Sequence, residues 1–152
     1  MATTPGELFI DTNIWLYATN PQSLWHTLAT QTLQQFHTAG STLVTSPQVL
    51  REYIAVATRP GVVQAAPVLA DILANIALIR ARCRMVEETA SVVDQLIQVL
   101  ATTPTAQRRV HDANIVATMQ AGGVAHLLTH NTADFAPYAH LITIVPLVPP
   151  TM

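Results

Sequence analysis

Four of the nine acidic residues in this chain stand on or directly beside elements whose sequence is apolar. They are Asp11, Glu52, Asp112 and Asp134. In a chain that is 50% hydrophobic and 11% charged, a carboxylate directed at the core needs a partner for its charge. A bound cation is the simplest such partner, and ligation by oxygen alone selects the hard ions Mg²⁺ and Mn²⁺ over Zn²⁺.

Carboxylates that hold such ions can support the hydrolysis of a phosphodiester. Two ions about 3.5–4 Å apart can bind both the attacking and the leaving oxygen of the phosphate group. One ion generates hydroxide from water, and both stabilise the charge of the pentacoordinate state. The acid set therefore predicts metal-dependent hydrolysis of phosphodiester bonds.

Short strand-like runs alternate along the chain with longer amphipathic stretches. The strand-like runs cover residues 8–10, 43–45, 125–129 and 142–145, with a weaker candidate at 85–86. This alternation predicts an α/β fold with a short, mainly parallel central sheet covered on both faces by helices. We expect a single domain over residues 1–152, with residues 1–5 and 148–152 as frayed tails.

Parallel strands bring their carboxyl ends to one edge of the sheet, where ligands gather. Asp11 directly follows the first predicted strand, and residues 129–134 follow the strand at 125–129 in the same way. Two segments that are distant in sequence are therefore expected to meet at this edge. Taken alone, Asp11 suits a helix cap and a metal ligand equally well.

Helix geometry separates the two acids that lie on helices. Asp112 shares a helix face with Ile115, Val116 and Met119, which aims its side chain at the sheet. An Asp that only complements the helix dipole would need no such aim, so a role in the site is favoured. Glu52 borders the apolar stripe of its own helix, a position that suits both the rim of a cleft and a solvated side chain.

The composition excludes several classes of protein. All seven basic residues are Arg, so chemistry that requires lysine, such as a Walker A phosphate loop or a Schiff base, is excluded. With a net charge of −2, any binding of nucleic acid must come from local placement of Arg. The single cysteine, Cys83, indicates a reducing cytoplasm, and neither a signal peptide nor a membrane span is visible.

Four short motifs follow one another along nearly the whole chain. They are Phe9-Ile10-Asp11-Thr12-Asn13-Ile14, Leu50-Arg51-Glu52-Tyr53, His111-Asp112-Ala113 and Leu128-Thr129-His130-Asn131-Thr132-Ala133-Asp134-Phe135. Each motif is degenerate, but the ordered set resembles that of PIN-domain nucleases, and more narrowly that of VapC-type toxins of bacterial toxin–antitoxin modules. The resemblance implies a three-layer α/β/α sandwich and an endoribonuclease that depends on Mg²⁺ or Mn²⁺.

The resemblance also implies which residues form the site. Direct or water-mediated metal ligands would be Asp11, Glu52, Asp112 and either Asp134 or Asn131. Asp134 is the first choice, because the amide of Asn131 can ligate a cation but brings no charge. Residues that orient the carboxylates or the attacking water by hydrogen bonds would be Thr12, Asn13 and Thr129.

On this hypothesis the substrate is structured RNA such as tRNA or rRNA, and a cognate antitoxin protein covers the cleft. The apolar composition suits a homodimer with an additional groove for the antitoxin. The predicted contacts to RNA phosphates are Arg59, Arg108 and Arg109. Arg59, near a helix end, could instead compensate the helix dipole.

Two other classes of protein share part of this residue pattern. An aspartate-nucleophile phosphohydrolase would use Asp11 to attack phosphorus, but it needs a second acid at position 13, which is Asn, and a lysine. A non-catalytic PIN-like module that binds RNA or protein is the second hypothesis, since Asn131 stands where family members can carry an acid. Acids in all four motifs favour the enzyme.

Overall fold

The computed structural model describes residues 3–59 and 68–149, so the outermost residues of both predicted tails, 1–2 and 150–152, lie outside the described residues. The strands are β1 (Glu7–Ile10), β2 (Thr42–Thr45), β3 (Cys83–Met85), β4 (His126–Thr129) and β5 (Thr143–Pro146). The helices are α1 (Thr12–Ala18), α2 (His26–Thr38), α3 (Pro47–Ala57), α4 (Leu69–Arg82), α5 (Ala90–Thr102), α6 (Val110–Ala121) and α7 (Thr132–Phe135). Within the same ranges, no helix is both long enough and apolar enough to span a bilayer.

The five strands form one parallel sheet in the order β3-β2-β1-β4-β5. Phe9 of β1 pairs with Val44 of β2 on one side and with Leu127 of β4 on the other. The three central strands are almost entirely buried, which explains why their sequences are continuous apolar runs rather than alternating ones. The predicted α/β fold with a parallel central sheet is confirmed.

The path of the chain through the sheet reverses between β1 and β4. From β1 the chain moves outward to β2 and β3, and it then returns across the sheet to β4 and β5. Right-handed crossovers therefore place α1 to α4 on one face and α5 to α7 on the other. Helix α5 packs along α6, and α1 packs on α2 and α3, which gives an α/β/α sandwich with a crevice at the carboxyl ends of β1 and β4.

Strand β3 differs from its predicted position. It spans Cys83–Met85 rather than residues 85–86, because its pairing with β2 already begins at Cys83, opposite Leu43. Its side chains are only half-buried or exposed, since β3 is an edge strand of the sheet. The start of β3 is therefore not marked by an apolar run in the sequence. The strand is defined by its parallel pairing with β2, which is a tertiary contact and leaves no local pattern.

Two helices start at the crevice and carry acids into it. Helix α3 begins after Ser46, whose hydroxyl accepts a hydrogen bond from the backbone N–H of Val49, and Pro47 occupies the first helical position. Helix α6 buries Ile115, Val116 and Met119 against the core. Ala113, Ala117 and Thr118 are buried as well, so α6 is covered on nearly all sides, and Asp112 in its first turn is half-buried.

The end of α6 packs closely against the segment that follows β3, and this contact can be tested. A Cβ atom added at Gly122 would lie 2.7 and 2.9 Å from the two methyl carbons of Val86, which is buried and stiff at χ1. We expect Gly122→Ala to lower the free energy of unfolding by about 1–3 kcal/mol, as measured by urea denaturation. Gly6→Ala is the matched control, because a Cβ atom there meets nothing within 4 Å; equal effects of the two variants would contradict the packing.

Candidate active site

A cavity of about 340 Å³ lies at the crevice between β1 and β4. Its lining includes all four predicted acids together with four other predicted site residues: Asp11, Glu52, Asp112, Asp134, Thr12, Asn13, Arg59 and Asn131. The acids come from four different elements, the end of β1, α3, α6 and α7. The fold therefore brings together carboxylates that are separated by as many as 123 positions in the sequence.

Asp11 is both a helix cap and a wall of the cavity. It directly follows β1 and is only 7% exposed. Its Oδ1 accepts a hydrogen bond from the backbone N–H of Thr12 at 2.8 Å, and this bond caps α1. Burial raises the pKa of Asp11, the hydrogen bonds from Thr129 and Thr12 oppose the rise, and the charges of Glu52 and Asp134 add to it. The predicted cap is therefore present, and the same side chain lines the cavity, while its role as a metal ligand stays a prediction.

Thr129, the last residue of β4, connects the segment that follows β1 to the segment that follows β4. Its fully buried hydroxyl donates to Oδ2 of Asp11 at 2.7 Å and accepts from the backbone N–H of Asn131 at 3.0 Å. Asn13 adds a second connection, since its amide donates to Asp11 at 3.3 Å and its Oδ1 accepts from the backbone N–H of His130 at 3.3 Å. These bonds hold Asp11 and the loop after β4 in a fixed relation.

Glu52 lies at the rim of the cavity, and each of its carboxylate oxygens accepts a hydrogen bond. Thr12 donates its hydroxyl hydrogen to Oε2 at 3.0 Å, and Gln48 donates its amide hydrogen to Oε1 at 2.9 Å. Both donors are neutral, so they orient the carboxylate without cancelling its charge. The half-buried position of Glu52 agrees with the predicted boundary of the apolar stripe on α3.

The carboxylates of Asp112 and Asp134 both lie close to the side chain of Arg109. The guanidinium of Arg109 lies 2.5 Å from a carboxylate oxygen of Asp134 and 3.9 Å from one of Asp112. Burial and the charges of Asp11 and Asp134 raise the pKa of Asp112 to about 6, while Arg109 opposes the rise. Arg109, predicted as a phosphate contact, is thus directed at the acids here; Arg108 is exposed beside it, and Arg59 lines the cavity.

The donor set fits a hydrated hard cation. The cavity of about 340 Å³ has room for several waters, its acids offer oxygen atoms, and burial together with neighbouring carboxylates raises the pKa of Asp11 and Asp112. Within residues 3–59 and 68–149, no group of three or more His, Cys, Asp or Glu side chains is arranged to hold an ion directly. Ligation that is partly mediated by water agrees with both facts, because Mg²⁺ usually retains several of its waters.

Sequence reasoning missed one residue next to this site and one pairing within it. Gln48 is a buried amide that contacts Glu52, and its only sequence signal is the spacing of four residues that places both on one side of α3. The pairing of Arg109 with Asp134 has no comparable signal, because the two residues lie on separate elements, 25 positions apart. The choice between Asp134 and Asn131 as a ligand stays a prediction, since both line the cavity.

The raised pKa of Asp112 predicts how stability depends on pH. Because the folded-state value of about 6 exceeds the ordinary 3.8, the folded chain takes up a proton between these values that the unfolded chain lacks. In the metal-free protein, the ionised Asp112 carboxylate should therefore lower the free energy of unfolding, and this effect should be fully present at pH 7.5. As the pH falls through 6, the carboxylate takes up its proton and the protein should gain stability.

We expect Asp112→Asn to raise the free energy of unfolding of the metal-free protein at pH 7.5 by about 1 kcal/mol, because Asp112 is only partly shielded from solvent. At pH 4 the gain should vanish, since the carboxyl is then neutral in the wild type. Thermal unfolding across this pH range checks both statements, with the exposed Asp94→Asn of α5 as the control. A loss of stability at pH 7.5 would contradict the assigned environment.

Comparisons with known proteins agree with this architecture. The family model described as PIN domain matches residues 8–141. A toxin–antitoxin complex from Klebsiella pneumoniae contains a chain with a TM-score of 0.66 at 17% identity, over 93% of this chain and 98% of that chain. VapC20 of Mycobacterium tuberculosis, described as a toxin that cleaves the sarcin–ricin loop, has a TM-score of 0.62 at 18% identity, over 85% and 95%.

A third solved structure is VapBC-1 from nontypeable Haemophilus influenzae, with a TM-score of 0.64 at 16% identity, over 93% of this chain and 98% of that chain. No curated protein matches this chain. At these identities the structural likenesses show a shared fold. The family model, in contrast, spans most of the chain and both segments that form the crevice. On this ground, the chain belongs to the PIN domain family.

Proposed function

We propose that this chain is a divalent-metal-dependent endoribonuclease that hydrolyses RNA phosphodiester bonds. The observation that carries the proposal is the convergence of four carboxylates from four elements on one cavity at the edge of a parallel sheet. Membership of the PIN domain family supports the same chemistry. A bound Mg²⁺ or Mn²⁺ would supply a nucleophile from water at neutral pH and would stabilise the charge of the reacting phosphate.

The side chains of the protein then have separate tasks. Asp11, Glu52, Asp112 and Asp134 would hold the ion, in part through water, and Asn131 could add an uncharged oxygen. Thr12, Asn13 and Thr129 donate hydrogen bonds that keep the Asp11 and Glu52 carboxylates oriented. Because these donors belong to α1 and β4, the carboxylates need little rearrangement when the ion binds.

Arginines at the cavity would position the RNA backbone. Arg59 lines the cavity, and the exposed Arg108 precedes the first turn of α6. Arg109 can contact a phosphate only if it leaves its pair with Asp134, and an incoming phosphate would offer its guanidinium another anion. Structured RNA is the proposed substrate class, and the sarcin–ricin-loop activity stated for the similar VapC20 supports it.

We further propose that the protein is a VapC-type toxin controlled by a cognate antitoxin in the cytoplasm. Similar folds occur in complexes described as VapBC and as toxin–antitoxin. A cavity of about 930 Å³ borders the acidic one and shares Asn13, Leu16 and Val56 with it. An antitoxin segment in this larger cavity would reach the acids. Exposed apolar residues on α4 and α5, such as Leu73 and Ile97, suit burial in a homodimer.

A non-catalytic PIN-like binding module is the second candidate, and Asn131 is the residue that favours it. In the structure, however, Asp134 lines the cavity beside Asn131. The segment after β4 therefore still contributes a carboxylate, from α7, which supports the enzyme over the binding module.

Removal of single carboxylate charges tests the proposed activity. We expect Asp11→Asn and Asp112→Asn each to lower Mn²⁺-dependent cleavage of RNA at least about 100-fold, because residues that merely orient ligands already contribute 10–100-fold. Asn is also a good N-cap, so Asp11→Asn should keep α1 intact. Asp94→Asn on α5 is the control, and undiminished cleavage by both site variants would refute the assignment.

The salt dependence of RNA binding tests the arginines. We expect Arg108→Gln to weaken binding and to reduce the slope of log K against log salt concentration by about 0.7–0.9 for the phosphate contact that is lost. Arg80→Gln, an exposed arginine on α4 that does not line the cavity, should leave the slope unchanged. Fluorescence anisotropy on Asp11→Asn, which should bind but not cleave, gives both slopes. Equal slopes for Arg108→Gln and its parent would exclude the contact.

A further inference from the structure

Gln48 is a buried polar residue at the start of α3 that takes no part in the four motifs. Its side chain is 4% exposed, and three partners use the hydrogen-bonding capacity of its amide. The Nε2 atom donates to Oε1 of Glu52 at 2.9 Å and to the backbone carbonyl of His111 at 2.8 Å. Its Oε1 atom accepts from the amide of Asn114 at 2.6 Å. Gln48 therefore joins α3 to the first two turns of α6.

The partners permit only one orientation of the Gln48 amide. The Glu52 carboxylate and the His111 carbonyl are acceptors, so both must face the NH₂ group. The NH₂ group of Asn114 is a donor and must face the oxygen. A flipped amide would place oxygen against two acceptors and nitrogen against a donor. The hydrogen bonds to Glu52 and His111 would then be lost together, so these two acceptors fix the orientation of the amide.

We propose that Gln48 is a positioning residue that sets the separation of the Glu52 and Asp112 carboxylates and, through it, the affinity of the site for its cation. The proposal rests on the proposed function. Glu52 enters the cavity from the helical layer of α3, and Asp112, the neighbour of His111, enters from the opposite layer. Gln48 connects these two layers directly at the edge of the sheet.

The physical need for such a connection comes from charge. The carboxylates of Glu52 and Asp112 line one cavity and repel each other, which favours their moving apart when no cation lies between them. A lysine or arginine at position 48 would reduce the repulsion, but it would also compete with the metal. A neutral amide holds the geometry and leaves the charge in place. Each oxygen of Glu52 accepts one hydrogen bond and keeps a lone pair for the ion or its water.

Gln48→Met tests the proposal, because methionine preserves the length of the side chain and removes all three hydrogen bonds. We expect Mn²⁺ binding, measured by calorimetry on the folded RNA-free protein, to weaken about 10–100-fold. At limiting Mn²⁺ the kcat for RNA should fall and recover as Mn²⁺ is raised, with little change in KM. Gln98→Met, at an exposed position on α5, is the matched control and should behave as wild type.

A metal-free measurement separates positioning from general stability. A crystal structure of metal-free Gln48→Met should show the carboxylates of Glu52 and Asp112 farther apart than in the wild type. Should this variant fail to fold, Asn114→Ala removes only the hydrogen bond to Oε1 of Gln48, and it should weaken Mn²⁺ binding by a smaller factor.

The outcomes distinguish the two proposals. If wild type binds Mn²⁺ and cleaves RNA, while Gln48→Met binds Mn²⁺ with unchanged affinity, the role of Gln48 is overturned and the proposed function stands. A lower melting temperature with unchanged Mn²⁺ affinity would likewise overturn it, because that is the result of a purely structural contact. If wild type neither binds Mn²⁺ nor cleaves RNA, the proposed function fails, and the role of Gln48 in cation binding fails with it.

Discussion

Mutual repulsion among carboxylates at the edge of the sheet is the constraint on which this structure depends. Four acids line one cavity, and the pKa of Asp112 rises to about 6 through burial and through the charges around it. A flexible loop could not hold such a set, because the acids would separate toward solvent. The rigid parallel sheet prevents this by fixing the ends of β1 and β4 side by side, as the pairing of Ile10 with Leu128 shows.

Neutral donors and an internal cation divide the cavity into two parts. On one side, uncharged hydroxyl and amide groups donate hydrogen bonds to the carboxylates of Asp11 and Glu52. On the other side, Arg109 lies between Asp112 and Asp134 and balances part of their charge. The negative charge of the cavity is therefore offset in part at Asp112 and Asp134, whereas the hydrogen-bond donors at Asp11 and Glu52 are uncharged.

The sequence predicted the features that depend on local pattern. Buried parallel strands are apolar without interruption, so β1, β2 and β4 could be located, and helical spacing placed Asp112 on the face of Ile115 and Met119. Features that depend on partners distant in sequence could not be predicted in this way. Strand β3 is defined by its pairing with β2, and Gln48 contacts a carbonyl 63 positions away. A glutamine on a helix has the same local pattern whether it is solvated or buried against such a partner.

The position of each acid follows from the same combination of local and distant contacts. Asp11 could be placed after β1 from sequence, but its dual use as cap and cavity wall depends on Thr129, 118 positions later. That hydroxyl holds one oxygen of Asp11 while the start of α1 holds the other, so the carboxylate cannot turn away from the crevice without breaking a buried hydrogen bond. An unpaired buried hydroxyl would cost about 1–3 kcal/mol, which is a considerable fraction of the stability of a domain of this size. The geometry of the site is therefore maintained by the folding energy of the chain itself.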